Sequence, residues 1–152
     1  MHQIHATAPT WVGHGGDQAR LEAILRDFER MMKLAMSEWD IYYKRSTDGG
    51  LTWTAERRLT DAPGLSQRPS IAVSADDVHL VWFDGRDDNE EIYYEHSSDA
   101  GMTWEEDMRL TDAPGQSLHS SVAVSGTDVH IVWFDHRDGN PEIYYKRSAH
   151  GR

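Results

Sequence analysis

Two loops with nearly the same sequence carry the residue types best suited to binding chemistry. "DGRDDN" (Asp84–Asn89) and "DHRDGN" (Asp135–Asn140) place Asp, Arg, Asp and Asn at the same offsets. An arginine exposed there could clamp a carboxylate or the hydroxyls of a sugar, because its guanidinium offers a fork of donors. The same residues could instead form a hairpin in which Asp and Arg pair across the turn and the Asp-Asn or Gly-Asn step supplies left-handed residues. Both interpretations stay open at this point.

The residues around these loops extend the possible binding surface. Trp82 and Trp133 stand two positions before Asp84 and Asp135, and could act as stacking platforms for a ligand. Arg68, in "SQRPS", is expected in a loop at the same end of the strands. The loop aspartates could also hold calcium, but the interposed arginine argues against it, so we predict no metal and no other cofactor. The candidate ligand-binding residues are Arg68, Trp82, Asp84, Arg86, Asp87, Trp133, Asp135 and Arg137.

The two loops belong to a tandem repeat of 51 residues. The phrases "TDAPG", "VWFD" and "EIYY" each occur twice at this spacing, the first beginning at Thr60 and again at Thr111. A partial copy, "DIYYKRSTDGGLTW", begins earlier, at Asp40. Internal repetition of this period indicates a fold built from repeated supersecondary units. Residues 39–152 are therefore one repeat region, and residues 1–38 are a separate N-terminal segment.

Each complete repeat contains four short strand signals, rich in β-branched and aromatic residues and separated by turn residues. In the first repeat we predict strands over Pro69–Ser74, Asp77–Asp84, Glu91–Ser97 and Asp107–Thr111. Four short strands in about 50 residues are typical of propeller blades. The predicted fold class is mainly β, with about two four-stranded antiparallel propeller blades and an N-terminal amphipathic α-helix.

The N-terminal segment carries the helical signal. Its apolar residues, which include Leu21, Ile24 and Leu25, recur at helical spacing, and Asp17 is a suitable N-cap. We predict an amphipathic helix over about residues 17–37. Its apolar stripe would dock on the protein's own core or on a partner.

Composition narrows the classes of partner. The chain has 15 Lys and Arg against 26 Asp and Glu, a formal net charge of -11, which repels phosphate backbones and anionic membranes. We therefore expect no nucleic-acid partner and no membrane partner; no apolar run approaches the roughly 20 residues that span a bilayer. Cysteine is absent and the N-terminus lacks the features of a secretory signal, so localisation stays open.

Two eight-residue phrases resemble a known family motif. "STDGGLTW" and "SSDAGMTW" both fit S-x-D-x-G-x-T-W, and both fall between the predicted third and fourth strands. This pattern resembles the Asp-box, or BNR repeat, of sialidases and many other β-propellers. In this role the Asp would accept hydrogen bonds from its own turn, the Gly would take a positive φ, and the Trp would be buried between neighbouring sheets. The residues that carry the motif are Ser46, Asp48, Gly50, Trp53, Ser97, Asp99, Gly101 and Trp104.

The sialidase resemblance implies an activity that the residues support poorly. Sialidases of this family bind a sialic-acid carboxylate with three arginines from different blades and use a tyrosine nucleophile assisted by Glu and an aspartate acid/base. Here "RP" at Arg68 lacks the family's aromatic and apolar flanks. No Tyr or Asp stands outside the repeat as a nucleophile or acid, so we predict no catalytic residue.

Three functions remain open on this basis. The first is a non-catalytic glycan-binding or scaffold module. The alternative is an exo-sialidase-type glycoside hydrolase, or a fragment of one, and the third is a truncated or designed fragment without independent activity. Closed propellers have about four to eight blades, so two blades imply either a homo-oligomer, with a trimer favoured, or a larger parent chain. Glycans are the expected ligand class, and relatives of this type are often extracellular.

Overall fold

Nine strands in three sheets make up the part of the repeat region that the structure describes. The computed structural model describes residues 18–27 and 39–149. The strands are β1 (Tyr42–Tyr43), β2 (Arg57–Arg58), β3 (Ser66–Ser74), β4 (Asp77–Asp84), β5 (Glu91–Ser97), β6 (Met108–Arg109), β7 (Ser117–Ser125), β8 (Asp128–Asp135) and β9 (Glu142–Ala149). The mainly β architecture predicted from the repeat is confirmed.

The sheets follow the chain without crossovers. The first sheet pairs β1 with β2, the second runs β3-β4-β5-β6, and the third runs β7-β8-β9. Every neighbouring pair within the sheets is antiparallel. Within a sheet, each strand pairs with the next strand in sequence, through connections that range from residues 75–76 between β3 and β4 to residues 44–56 between β1 and β2, as antiparallel neighbours allow. The second sheet is the four-stranded unit that the repeat predicts.

The N-terminal helix, α1, covers residues 18–27 and belongs to a different compact unit from the strands. Its apolar residues Leu21, Ile24 and Leu25 are each more than half exposed. Position 17 and positions 28–37 of the predicted helix lie outside the described residues. Within the two described ranges, no helix is long and apolar enough to cross a membrane.

The second sheet is buried on both faces. Alternate residues of a strand point to opposite sides. In β4 both alternating sets are mainly apolar, and β5 adds Ile92 and Tyr94 to one face and Tyr93 to the other. Leu80, Trp82 and Tyr93 join Ile41, which directly precedes β1, in one core cluster. The other core cluster joins the second sheet to the third, and its buried members are Val81, Phe83, Ile92, Tyr94, Val122, Val129, Ile131 and Trp133. The three sheets are therefore stacked, with the second in the middle.

The first strand of each larger sheet carries a bulge at the same place. The register shifts between Gln67 and Ser70 in β3 and between Leu118 and Ser121 in β7. Arg68 (φ 53°) and His119 (φ 55°) take left-handed conformations there. This corrects the prediction for Arg68, which lies inside β3 and not in a loop, because the bulge lets the strand continue through the proline that follows.

The tryptophans of the two S-x-D-x-G-x-T-W hairpins have different environments. Trp104 packs on the core cluster between the first and second sheets, and its ring meets Tyr43 edge-on at 5.1 Å. Trp53 is 61% exposed, contrary to the expectation that it would be buried between sheets. The reason is positional: Trp104 has the first sheet beside it, whereas no sheet precedes Trp53 within the described residues.

The core position of the second sheet can be tested by one substitution made at two sites. Leu80 is 4% exposed and Leu51 is 84% exposed. We expect Leu80→Ala to lower the free energy of unfolding by about 2–5 kcal/mol, because it leaves a cavity between two sheets. Leu51→Ala should change it by less than about 0.5 kcal/mol. Urea unfolding followed by tryptophan fluorescence measures both, and equal effects would contradict the stacked arrangement.

Candidate functional site

The two hairpins at 46–53 and 97–104 are closed by their own side chains. Asp48 accepts hydrogen bonds from Thr52 N (2.9 Å), Thr52 Oγ1 (2.5 Å) and Ser46 Oγ (2.7 Å). Asp99 accepts the same three bonds at 2.6–2.8 Å. Donation by the threonine hydroxyl is the largest cause that lowers the pKa of each aspartate to about 2. Both carboxylates are therefore satisfied within their own hairpin, as a structural lock requires.

The second hairpin is also held by the first sheet. Arg45 Nη1 donates to Ala100 O (2.6 Å), and Arg57 Nη1 donates to Met102 O (2.8 Å). Gly101 has a φ of 81°, and a Cβ at this position would collide with the ring of Tyr43. Glycine is needed here both for its conformation and for the close approach of the neighbouring sheet.

A polar cluster lies at the end of β4, and we call it the Arg86 cluster: Trp82, Asp84, Arg86, Asp87 and Tyr93. Asp84 accepts hydrogen bonds from Trp82 Nε1 (2.9 Å), Arg86 N (3.0 Å) and Arg86 Nη2 (2.8 Å). The guanidinium carbon of Arg86 lies 4.2 Å from the centre of the Tyr93 ring. Tyr93 donates its hydroxyl proton to Asp87.

Two residues outside the Arg86 cluster add further hydrogen bonds, although the buried Arg86 Nε has no partner within the described residues. Ser66 Oγ donates to Asp84 Oδ2 (2.8 Å), and Arg86 Nη1 donates to Asp107 Oδ2 (2.6 Å). Arg86 is thus bound to two carboxylates while its side chain is 17% exposed. A guanidinium engaged in this way supports the structure and has little capacity left for a ligand.

The third sheet repeats this arrangement in the Arg137 cluster: Trp133, Asp135, Arg137, Asp138 and Tyr144. Asp135 accepts hydrogen bonds from Trp133 Nε1 (2.9 Å), Arg137 Nε (2.8 Å) and Arg137 Nη2 (2.5 Å). Arg137 lies 4.2 Å from the centre of the Tyr144 ring. The Arg137 side chain is more exposed than that of Arg86, at 32%.

Protonation in the two clusters is set by these contacts. Burial raises the pKa of Asp84, but hydrogen bonds from Arg86, Trp82 and Ser66 outweigh it and hold the pKa below its usual value. Donation by Arg137 is the main cause that lowers the pKa of Asp135. The pKa of Tyr93 is raised by burial and then by its bond to Asp87, and that of Tyr144 is raised first by its bond to Asp138. Both aspartates are anionic and both tyrosines are protonated at neutral pH.

The candidate residues of each sheet therefore come together in one cluster, except Arg68, which belongs to neither cluster. Trp82 is fully buried and Trp133 is 5% exposed, so neither indole has a face available for stacking on a ligand. This corrects the prediction that the two tryptophans act as stacking platforms. Their rings lie in the core clusters, and their N–H groups serve the buried aspartates. Arg68 is exposed in β3, two residues from the Ser66 that bonds Asp84.

A buried network that the sequence prediction missed lies beside the Arg86 cluster. Glu91 is fully buried and accepts hydrogen bonds from Thr111 Oγ1 (2.5 Å), Arg109 Nη2 (3.0 Å) and Asn89 Nδ2 (3.0 Å). The first sheet contains the same network, because Thr60 Oγ1 donates to Asp40 (3.0 Å) and Arg58 pairs with Asp40 (2.8 Å). The recurrence of an acid, an arginine and a threonine at the 51-residue spacing was the available signal.

A second missed group is Glu95 in β5. Its side chain is buried, and its Oε2 has no hydrogen-bond partner within the described part of the structure. Burial, followed by the charge of Asp107, raises its pKa to about 7, although Arg57 opposes the shift. The corresponding residues of the flanking repeats are lysines, Lys44 and Lys146.

The histidines of the second sheet form a neighbouring cluster. His79 Nδ1 and Tyr94 Oη lie 2.8 Å apart, and the His79 ring stacks on His96 at 4.8 Å. His96 Nε2 lies 3.0 Å from Asp77. At the corresponding positions of the third sheet, Arg147 forms an ion pair with Asp128. Among the described residues, no three His, Cys, Asp or Glu side chains form a group that could hold a metal ion.

No family model, curated protein or solved structure matches this chain. Its function must therefore be inferred from the geometry of the site. That geometry consists of two nearly identical clusters in which arginine, aspartate and tyrosine bind one another. Such an arrangement can hold sheet ends in place, and its more exposed copy can offer a guanidinium to an anionic or hydroxyl-bearing ligand.

The hairpin carboxylates predict a loss of stability in acid. Because the pKa of Asp99 is lowered to about 2 from 3.8, its contribution is complete above about pH 4 and is lost as the pH falls towards 2. We expect Asp99→Asn to be less stable than the wild type at pH 5 and to lose less stability between pH 4 and pH 2. Thermal unfolding across this range measures the difference. Asp88→Asn, at an exposed loop position, is the control, and parallel pH profiles for Asp99→Asn and the wild type would refute the lock.

The buried glutamate predicts the opposite dependence at higher pH. Because the pKa of Glu95 is raised from 4.5 to about 7, its ionisation disfavours the folded state, so stability falls as the pH rises from about 4.5 and levels off above 7. We expect Glu95→Gln to stabilise the protein at pH 8 by on the order of 3 kcal/mol. Chemical unfolding at pH 4.5 and pH 8 tests this. Glu106→Gln, at an exposed position outside β5, is the control and should show no gain at pH 8.

Proposed function

We propose that the repeat region consists of Asp-box propeller blades and that the chain acts as a non-catalytic scaffold module. The observation that carries this proposal is the internal pairing of the arginines: Arg86 binds Asp84 and Asp107, and Arg137 binds Asp135. Groups that would have to receive a substrate are instead used to hold β-strand ends together. A scaffold needs only this repeated structure.

The fold supports the propeller part of the proposal. The second sheet is a four-stranded antiparallel meander, and its hairpin at 97–104 places Trp104 against the sheet that precedes it. The sheets pack face to face through alternate residues of β4 and β5. Radially repeated four-stranded meanders with apolar faces are the units from which propellers are built.

The clusters argue against a sialidase-type mechanism in this chain. A tyrosine nucleophile must lose its proton, yet the pKa values of Tyr93 and Tyr144 are both raised. Each tyrosine also donates its hydroxyl proton to a neighbouring aspartate, which disfavours a phenolate because two negative charges would then be adjacent. A carboxylate clamp would further require arginines without carboxylate partners.

Glycan binding is the second candidate, and the exposure of Arg137 favours it. Arg86 has two carboxylate partners, whereas the ion pair of Arg137 is with Asp135, and nearly a third of the Arg137 side chain is exposed. A sugar carboxylate or vicinal hydroxyls could accept hydrogen bonds from the exposed part of this guanidinium.

The scaffold and glycan hypotheses predict different results for the two arginines. We expect Arg86→Ala to lower the free energy of unfolding by about 3 kcal/mol or more, because it leaves the buried Asp84 without its charge partner. Arg137→Ala also leaves a fully buried carboxylate, Asp135, without its charge partner, but it removes one ion pair instead of two and should therefore cost less. Urea unfolding measures both variants, and a fluorogenic sialoside should be left intact by the wild type.

Glycan-array binding completes this test. Binding by the wild type that is lost in Arg137→Ala would favour the glycan candidate over a scaffold alone. Turnover of the sialoside would contradict the non-catalytic proposal. An Arg86→Ala variant as stable as the wild type would contradict a structural role for the Arg86 cluster.

A further inference from the structure

The third sheet exposes an apolar face whose counterpart in the second sheet is buried. Val132, Phe134, Ile143 and Tyr145 are between 40% and 64% exposed. The residues 51 positions earlier, Val81, Phe83, Ile92 and Tyr94, are all at most 7% exposed, because the third sheet covers them. The chain itself thus shows what covers this face: a following sheet of the same kind.

A matching exposed surface lies on β3, at the other end of the stack. Ile71 is 49% exposed, whereas its counterpart 51 positions later, Val122, is 8% exposed and packs on the second sheet. Beside Ile71 is a cleft of about 240 Å³ whose lining includes Ile41, Leu59 and Pro69. The cleft lies next to β1, where the first sheet has no counterpart of β3 and β4 within the described residues.

The interface between the second and third sheets provides the template for joining these two surfaces. There β7 contacts β3, β4 and β5, and Val122 N donates to Ser70 Oγ (3.3 Å). In that interface Val81 and Phe83 belong to the same core cluster as Val122. If the third sheet of one copy packs on β3 of another copy in the same way, Val132 and Phe134 lie against Ile71. The two exposed surfaces are therefore complementary to each other, and neither is complementary to itself.

In this arrangement β9 of one copy and β1 of the next would occupy the same position beside β2, because both are third strands of a repeat. One of the two strands must therefore be displaced. Their sequences are the same, "IYYKRS" at 41–46 and at 143–148. β9 pairs with β8 over eight residues, whereas β1 pairs with β2 over two. If β9 replaces β1 beside β2, the same IYYKRS side chains occupy that position. The eight-residue pairing of β9 with β8 is then retained, and only the two-residue pairing of β1 with β2 is lost.

We propose that the chain associates head to tail with a second copy of itself, the third sheet of one copy packing on β3 of the next and β9 replacing β1 beside β2. This proposal rests on the repeat module described under Proposed function, whose sheet-to-sheet packing it reuses. Each copy then contributes two four-stranded sheets. Three copies would supply six, which lies within the range of about four to eight for closed propellers. A heterologous contact of this kind closes into a ring or extends into a filament.

Light scattering coupled to size-exclusion chromatography tests the association. The net charge of -11 per copy opposes it at low ionic strength, so the oligomer should be favoured at 0.15 M salt or above. Phe134→Asp and Ile71→Asp should each weaken association by about 100-fold or more, because each places a charge in an apolar contact. Leu21→Asp, at an exposed position of α1 and outside the repeat region, is the matched control and should remain oligomeric.

Mixing the two interface variants gives the sharpest result. The Phe134→Asp variant keeps an intact β3 surface, and the Ile71→Asp variant keeps an intact third-sheet surface. These two surfaces can bind each other, whereas the other two both carry a charge, so an equimolar mixture should form a dimer that grows no further. Either variant alone should stay monomeric with an unchanged circular dichroism spectrum. A mixture that stays monomeric, or a single variant that still assembles, overturns the head-to-tail interface.

Engineered cysteines test the strand exchange, since the chain has no cysteine of its own. In the second sheet Tyr94 pairs with Met108, so Tyr145 of one copy should pair with Arg57 of the next. The double variant Tyr145→Cys/Arg57→Cys should form disulfide-linked oligomers, because opposed residues in antiparallel strands lie within bridging distance. In the control Tyr43→Cys/Arg57→Cys, a complete link within one chain would show that β1 stays in place, which overturns the exchange.

These results separate the association from the function on which it rests. A wild type that is folded and monomeric at all concentrations overturns the head-to-tail proposal and leaves the scaffold module intact. Sialoside turnover, in contrast, overturns the non-catalytic function whatever the oligomeric state. The two proposals therefore fail through different measurements.

Discussion

The burial of the second sheet on both faces is the constraint on which the rest of this structure depends. A sheet covered on one side alternates apolar and polar residues, whereas a sheet covered on both sides needs apolar residues at nearly every position. In β4, Val81 and Trp82 are adjacent, both fully buried, and directed to opposite neighbours. This central sheet holds the first and third sheets in a stack, and all the polar clusters are arranged around it.

Burial on both sides also determines how the charged residues are used. A buried carboxylate is tolerated only when donors surround it. Asp84 and Glu91 are essentially inaccessible, and each is surrounded by an arginine, a hydroxyl and further N–H donors. The arginines that resemble ligand-binding residues in the sequence are recruited for this purpose. Glu95 is the exception, since one of its oxygens has no partner among the described residues and its pKa is raised to about 7.

The two ends of the stack differ from its middle in the same way. At one end Trp53 is exposed where Trp104 is packed, and at the other Ile143 is exposed where Ile92 is fully buried. Each end thus presents a surface that has a buried counterpart within the same chain. Apolar surfaces of this kind mark interaction sites, because their burial is favourable.

The 51-residue repeat by itself determined the strand order, the antiparallel pairing and the hairpin locks, because these depend on local turn chemistry and on residues close in sequence. The closed hydrogen bonds of Asp48 and Asp99 follow from the eight-residue phrase alone. Only the tertiary structure decided which copies are buried, whether an arginine is free, and where Glu95 lies. The IYYKRS segments show why: Ile41 is 5% exposed and Ile143 is 64% exposed in identical local sequence. Burial is set by the sheets on either side of a residue, and those neighbours come from distant parts of the chain.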